Sequence, residues 1–323
     1  MKMITDYKKL LLISFILIFF SVGVLGYNYS MTGEVLDKSI DFKGGTVASV
    51  ILAEDTVDVS KIEDIANEKI GSVVVRTSKD NEGTSIILES ENVIQDKDIV
   101  EILDSAGVAY NSDDINIQSV GAALGAEFMK QAIVAVLFAF GLMAIIIFLT
   151  FKTFIPSIAI ISSATVDILF AMALMVIFGV SLNLGTLAAL LLLIGYSVDT
   201  DILLTTRLIK RKGEGTLDER VMSSMKTGVT MTTSALVAFT TLYLISTSTM
   251  LDQIALVIIF GLLADYVTTW FQNVGLLRWY LRDEEKKEEV AEKKKPRYIR
   301  RQKKTKNSKT NKNKKQTKKG KKK

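Results

Sequence analysis

The sequence predicts an α-helical membrane protein of six transmembrane helices, with a small α+β, ferredoxin-like extracytoplasmic domain between helices 1 and 2. Three observations predict it. Six apolar runs approach or exceed the length needed to cross a bilayer, about 20 residues each. One polar stretch, residues 28–128, separates the first run from the other five and carries 7 Lys/Arg against 20 Asp/Glu. Outside a basic tail, the short basic segments fall at one set of helix ends, as cytoplasmic loops do. The composition agrees, with 323 residues that are 49% hydrophobic, mean hydropathy +0.30 and only two Pro, far from an ordinary soluble domain.

Leu10 to Gly26 forms the first run, behind Lys8 and Lys9 and ahead of Tyr27 and Tyr29, which suit an interfacial belt. A secretory signal has a similar basic start, but no small-residue cleavage site follows, so residues 1–27 read as a cytoplasmic N-terminus and an uncleaved helix. Within 28–128, Thr46–Leu52 is an apolar run that opens the pattern as a strand, SKIEDIANEKIG has helical period, SVVVRTS and SIILES flank the turn KDNEG, a second helix surrounds DKDIVEILDSAG, and INIQSV closes the order β-α-β-β-α-β. Ser60 with Glu63 has capping-box spacing, and Gly71 and Gly107 stand where helices end.

Met129 to Phe151 is the second span, with Lys152 as its basic exit. Pro156 fits the first turn of the third, which runs to about Val180. The fourth is Gly185 to Arg207, and residues 207–227, with 6 Lys/Arg against 3 Asp/Glu, read as a cytoplasmic loop. Val229–Ser246 and Leu251–Leu277 complete the helices of 129–277. Residues 278–323 hold 22 of the 40 Lys/Arg and 6 of the 35 Asp/Glu. Such a tail cannot bury apolar area and reads as a disordered cytoplasmic segment. Its partners would be anionic lipid, at about 1 kcal/mol per basic residue near the surface, or ribosomal RNA phosphates.

The chemistry lies in the spans. Asp167, Asp199 and Asp265 sit on three helices at membrane depth, with Asp201 nearer the surface. A carboxylate at a helix centre costs roughly 2.5–3.5 kcal/mol on insertion scales, so such residues face a bundle interior or wet cavity and mark ion paths. No Lys or Arg lies inside a span beside them, and a buried carboxylate without a cation holds protons readily. Asp199 and Asp201 are about 200° apart around a helix, so one at most faces the centre. Asp199, roughly 12 Å inside the end marked by Arg207, is the expected one, paired with Asp167 across a wet seam. Taken singly, each Asp reads equally well as bonded to a neighbouring hydroxyl such as Thr200, Thr205, Thr232, Thr233, Thr268 or Thr269. Three together point to an ion relay.

The chain has no His and no Cys, which removes disulfides, thiolate metal sites and His-based catalysis. Asp41-Phe42-Lys43-Gly44-Gly45-Thr46 and Val120 to Glu127 flank the polar domain. A glycine pair can cradle phosphate, yet no lysine-serine or helix start follows Gly45 as a phosphate loop requires, so both stretches read as tight turns. With no nucleotide loop, nucleophile–base pair or metal cluster, neither enzyme activity nor a cofactor is expected.

These motifs, DFKGGT at 41–46, SVGAALGAE at 119–127 and GYSVDTDILLTTR at 195–207, in this order on a six-span plan, resemble the SecF branch of the SecD/SecF protein-export family, in its archaeal form. The resemblance covers about Lys8 to Arg282, and the family belongs to the resistance-nodulation-division transporter superfamily. It implies half of a pseudo-symmetric transporter in the cell membrane, with both termini in the cytoplasm and a SecD-like six-helix subunit as partner. It also implies the Sec translocon and secreted proteins as further partners, and H⁺ as coupling ion, with Na⁺ the alternative. The motif positions it singles out are Asp41, Gly44, Gly45, Gly121, Gly125, Glu127, Gly195, Tyr196, Ser197, Asp199 and Arg207, with Asp167 on the third span. Where bacterial members carry adjacent acids or Asn-Asp after the Ser, this chain splits its acids around Thr200. A self-contained exporter of lipids or small hydrophobic molecules is the alternative function, and a scaffold without ion flow a third.

Overall fold

The computed structural model describes residues 7–52, 57–80, 83–211, 215–246 and 248–282. The basic tail beyond Arg282 lies outside the described residues. The chain divides into two units, Met1–Leu276 and Leu277–Lys323. The first contains the sheet domain and the membrane helices as far as Leu276, and the second is helical over 277–282.

Among the described residues, six helices are long and apolar enough to span a membrane: Leu10–Thr32, Ala122–Phe151, Phe154–Phe178, Leu184–Lys210, Leu217–Ile245 and Thr249–Arg282. The first, α1 (Tyr7–Thr32), runs past the expected end at Gly26 and takes Tyr27 and Tyr29 into its last turns. A short α2 (Ile40–Lys43) then leads into the domain.

The domain follows the expected order, β1 (Gly45–Leu52), α3 (Val59–Ile70), β2 (Val73–Asp80), β3 (Gly83–Ser90), α4 (Asp96–Ala106) and β4 (Tyr110–Val120). Its antiparallel sheet has the order β2-β3-β1-β4, the split βαβ arrangement. Of the turn between β2 and β3, residues 81–82 are outside the described residues, but Asp80 pairs with Gly83. Strict alternation in β1 turns Ala48, Val50 and Leu52 to one face, where they meet Ile86, Leu88, Ile62, Ile99, Ile102 and Leu103, all buried. A fully buried Leu or Ile contributes about 1.5–3 kcal/mol, so this one-sided core holds the two helices on the sheet. Gly71 and Gly107 end α3 and α4 as expected. The capping box at Ser60 and Glu63 does not form. Asp58 caps α3 instead, accepting from the Lys61 amide at 3.2 Å, because the helix begins at Val59 and leaves Ser60 inside its first turn.

After the domain come α5 (Ala122–Phe151), α6 (Phe154–Phe178), α7 (Leu184–Thr205), α8 (Leu217–Ile245) and α9 (Thr249–Val267). One π-helical turn, Thr206–Lys210, extends α7, and another, Thr268–Asn273, extends α9. Such turns are rare and gather at functional positions. Helix α8 begins well before the expected Val229, so the loop after Arg207 is shorter than 207–227. The start is fixed by Thr216 and Glu219, whose side chains cap each other's amides at 3.3 and 2.8 Å, the reciprocal arrangement that satisfies two orphan donors. Buried Ala171, Ala173, Met175, Leu193, Val257 and Ile258 join α6, α7 and α9 into one core, while most of α5 and α8 faces outward.

Candidate functional site

Three polar stripes meet at the centre of α6, α7 and α9. On α6, Ser163 and Asp167 are four residues apart on one face. On α7, Ser197, Thr200, Asp201 and Thr205 follow the i, i+3, i+4, i+8 spacing of one helical face. On α9 and its π-turn, Asp265, Thr268, Thr269, Gln272 and Asn273 do the same. All of these side chains are buried. A polar face of this width inside an apolar bundle is held together by its own hydrogen bonds, since an unpaired polar group there costs several kcal/mol.

Asp167 accepts from the Ser197 hydroxyl at 2.5 Å on one oxygen and from Thr268 at 2.6 Å on the other. Its carboxylate thereby bonds α6 to both α7 and α9. Asp265 accepts from Thr232 of α8 at 3.2 Å. Thr269 stands between Asp265 and Asp201, 2.8 Å from one and 2.9 Å from the other. Ser163 and Asn273 lie beside the Asp201 carboxylate, near enough to act on its charge, but its Oδ2 has no partner in hydrogen-bonding geometry among the described residues.

Asp199 is not in this cluster. It is exposed, on the outward face shared with Leu192, Gly195 and Tyr196, and the expected pairing of Asp167 with Asp199 is replaced by a cluster of Asp167, Asp201 and Asp265. Helix phase decides the outcome over depth: Asp201 lies four residues after Ser197, directly over it, whereas Asp199 is two residues off that face. The five polar residues of α9 went unread in the sequence apart from Asp265 and two nearby threonines. Their spacing was the available signal.

The flanking motifs form a joint between the sheet domain and the helices. Gly44 caps α2 at φ +79°, a conformation that favours glycine. A Cβ there would lie 2.5 Å from the Ala122 Cα, and one on Gly125 would lie 2.8 Å from the Gly44 nitrogen. The two glycines therefore let α2 and α5 touch backbone to backbone. Gly45 opens β1, and Gly121 is the N-cap of α5. Asp41 accepts from the Leu184 amide at the start of α7 at 3.0 Å. Beside it, Ser39 donates to the Leu182 carbonyl at 2.8 Å and Leu182 donates back to that of Asp37 at 2.7 Å. The domain entry is thus bonded to the helix that carries Asp201.

Glu89 of β3 flanks this joint in a cleft that it shares with Lys38, Lys43 and Arg76. Burial pushes its carboxyl above the ordinary range, with the Arg76 guanidinium pulling the other way. Glu127 is exposed on α5, bonded by Gln131 at 3.1 Å and 4.0 Å from Lys130. Tyr196 meets Phe239 edge-on at 6.1 Å. Arg207 reaches no carboxylate of the cluster. It clamps the end of α7 to α8 by donating to the Ser223 carbonyl at 2.5 Å, the Ser223 hydroxyl at 2.9 Å and Thr227 at 3.0 Å. Among the described residues, no group of three or more His, Cys, Asp or Glu is arranged to hold a metal ion.

Comparison with known proteins places this geometry. Residues 101–283 match the family described as protein export membrane protein SecD/SecF, C-terminal. The protein-export membrane protein SecF of Methanolacinia petrolearia is 38% identical over 278 residues, which is 85% of this chain and 94% of the relative. That of Pyrococcus furiosus is 39% identical over 285 residues, 88% of this chain and 94% of the relative. The crystal structure of SecDF, a translocon-associated membrane protein from Thermus thermophilus, aligns with a TM-score of 0.71 at 21% identity, covering 87% of this chain and 38% of that one. It shares the fold of six helices with a four-stranded domain after the first.

Proposed function

Because the chain belongs to the SecD/SecF family of protein-export membrane proteins, we propose that it is a SecF subunit that works beside a SecD-like six-helix subunit at the Sec translocon and couples export of secreted proteins to an ion gradient, with H⁺ as the ion. The observation that carries this reading is the cluster of Asp167, Asp201 and Asp265, three inward carboxylates on three helices, each bonded to hydroxyls of neighbouring helices and with no Lys or Arg in contact among the described residues. Such a cluster can take up and release charge inside a membrane.

The uncovered face of α7 supports a partner. Asp199 stands at membrane depth beside Gly195, around which a Cβ would meet open space, and Tyr196, which is 40% exposed. Lipid is a poor neighbour for a carboxylate, and small residues let a second helix approach closely. In folds built from paired repeats, binding sites lie between the repeats, so one half is incomplete alone. The joint at Asp41 and Leu184 supports a mechanism: a change of charge at Asp201 shifts α7, and the bonds at its start carry the movement to the sheet domain. The reading puts that domain outside the cell membrane and both termini in the cytoplasm, with the basic tail on anionic lipid or the ribosome.

The test is capture of the tagged full chain from its own membranes in mild detergent, with mass spectrometry of what stays bound. A second six-helix protein and translocon subunits are expected. Recovery with itself alone would overturn the export reading in favour of a self-contained exporter of lipids or small hydrophobic molecules.

A further inference from the structure

The Thr269 hydroxyl lies within hydrogen-bonding distance of Asp201 Oδ1 at 2.9 Å and of Asp265 Oδ1 at 2.8 Å. A hydroxyl has one proton to give and lone pairs to accept. If both carboxyls were ionised, one of these short contacts would set an acceptor against an acceptor. Two negative charges would also stand no further apart than two hydrogen bonds laid end to end, inside a bundle where like charges cannot both persist. Asp167, the third inward carboxyl, adds to the crowding, and both of its oxygens are already served by Ser197 and Thr268. Among the described residues, the Thr232 hydroxyl reaches the pair from α8, and Ser163 of α6 and Asn273 lie beside Asp201.

We propose that Asp201, Thr269 and Asp265 form one hydroxyl-bridged carboxyl pair that holds a single proton between α7 and α9, and that Thr269 is the residue through which this proton moves. This rests on the ion-coupling reading above and names its inner path. In one of its two arrangements the proton is on Asp201: its O–H donates to the Thr269 oxygen, and the Thr269 O–H donates to Asp265, which also takes the Thr232 hydroxyl. In transfer, the Asp201 O–H breaks as a new O–H forms on Thr269, and the original Thr269 O–H breaks as a new one forms on Asp265. Threonine is restored with its hydrogen bonds reversed, and one proton has passed from α7 to α9 with no water taking part. The sequence carries the same arrangement as spacing, since Asp265 and Thr269 are one helical turn apart and place carboxyl and hydroxyl side by side.

The first test is infrared spectroscopy of the full chain, co-purified with its partners in lipid nanodiscs at neutral pH. The expected result, read in wild-type-minus-variant difference spectra so that bands of other buried acids cancel, is a protonated-carboxyl C=O band that both Asp201→Asn and Asp265→Asn abolish, because either change frees Thr269 to donate to the acid that remains. A band that survives one of the two substitutions, or its absence from the wild type, overturns the shared proton. The second test is gradient-dependent export in proteoliposomes. Thr269→Val is expected to fall to the level seen without a gradient, and Thr269→Ser to retain the stimulation. Full stimulation in Thr269→Val, or loss in both variants with assembly intact, overturns the relay. If Asp201→Asn and Asp265→Asn both keep gradient-dependent export, the coupling reading fails, and the infrared result still decides the shared proton by itself.

Discussion

Replacing Gly125 by Ala should loosen the joint between the sheet domain and the membrane helices without touching either core. The added Cβ would lie 2.8 Å from the Gly44 nitrogen and 3.2 Å from both the carbonyl carbon and oxygen of Phe42. All three are backbone atoms, so no side-chain rotation relieves the contact. The α2 segment must move, and Gly44 then gives up its amide bond to the Ile40 carbonyl at 2.8 Å. Overpacking of this kind costs about 1–3 kcal/mol, which raises the population of the opened joint about 5- to 150-fold. Hydrogen exchange with mass spectrometry on the full chain reads this directly. Peptides covering 40–45 and 121–126 should exchange faster by that factor, while peptides over β3, whose Ile86 and Leu88 lie in the domain core, stay as they are. Gly141→Ala, where a Cβ meets nothing within 4 Å, is the control and should leave exchange unchanged. Equal exchange at the joint in Gly125→Ala and wild type would refute the close backbone contact.

Further outcomes follow from the same contacts. Leu88→Ala removes a fully buried side chain from the one-sided core and should destabilise the domain by about 2–5 kcal/mol, read as loss of protease resistance in β1 and β3 while the helices keep their far-UV signal. Glu89 carries a carboxyl raised above 4.5 by burial, so the folded protein binds its proton more readily than the unfolded chain. Its contribution is fully present below 4.5 and lost as pH rises through the folded value. Glu89→Gln should therefore raise thermal stability at neutral pH, with the gain shrinking to nothing below pH 4.5, and a gain that grows on acidification would contradict the assignment. Arg207→Ala severs three hydrogen bonds between α7 and α8 and should cost about 1.5–3 kcal/mol in detergent melts. Arg207→Lys should recover only part, because an ammonium cannot span the fork of partners that a guanidinium does.

The helices and the domain order were legible because their signals are local. Apolar length marks a span, a short apolar run marks β1, and Gly71 and Gly107 mark helix ends. The boundary of α8 was legible too, in Thr216 and Glu219, but hydropathy alone places the helix start at Val229, since a charged first turn, with Asp218, Glu219 and Arg220, hides it. Choosing between Asp199 and Asp201 needed helix phase, which Ser197 supplies, and depth pointed the other way. The bridge through Thr269 was written only in part. Its spacing from Asp265 is local, but its meeting with Asp201 depends on how α7 and α9 pack. The contact of Gly44 with Ala122 and Gly125 had no local signal at all. Two turn-like motifs 77 residues apart, from Gly44 to Gly121, become one joint only because the sheet brings β1 beside β4, with Gly45 opposite Val120.

The central claim is that the inward acids of this chain couple export to an ion gradient while Asp199 serves the face towards a partner. The most direct measurement is translocation of a secreted protein into proteoliposomes containing the translocon, the SecD-like subunit and either Asp201→Asn or Asp199→Asn of this chain, with and without a proton gradient. The account predicts that Asp201→Asn assembles normally and loses the whole gradient-dependent increment, whereas Asp199→Asn keeps that increment in whatever complex it forms. Full stimulation by the gradient in Asp201→Asn, or its loss in Asp199→Asn with the complex intact, would contradict it.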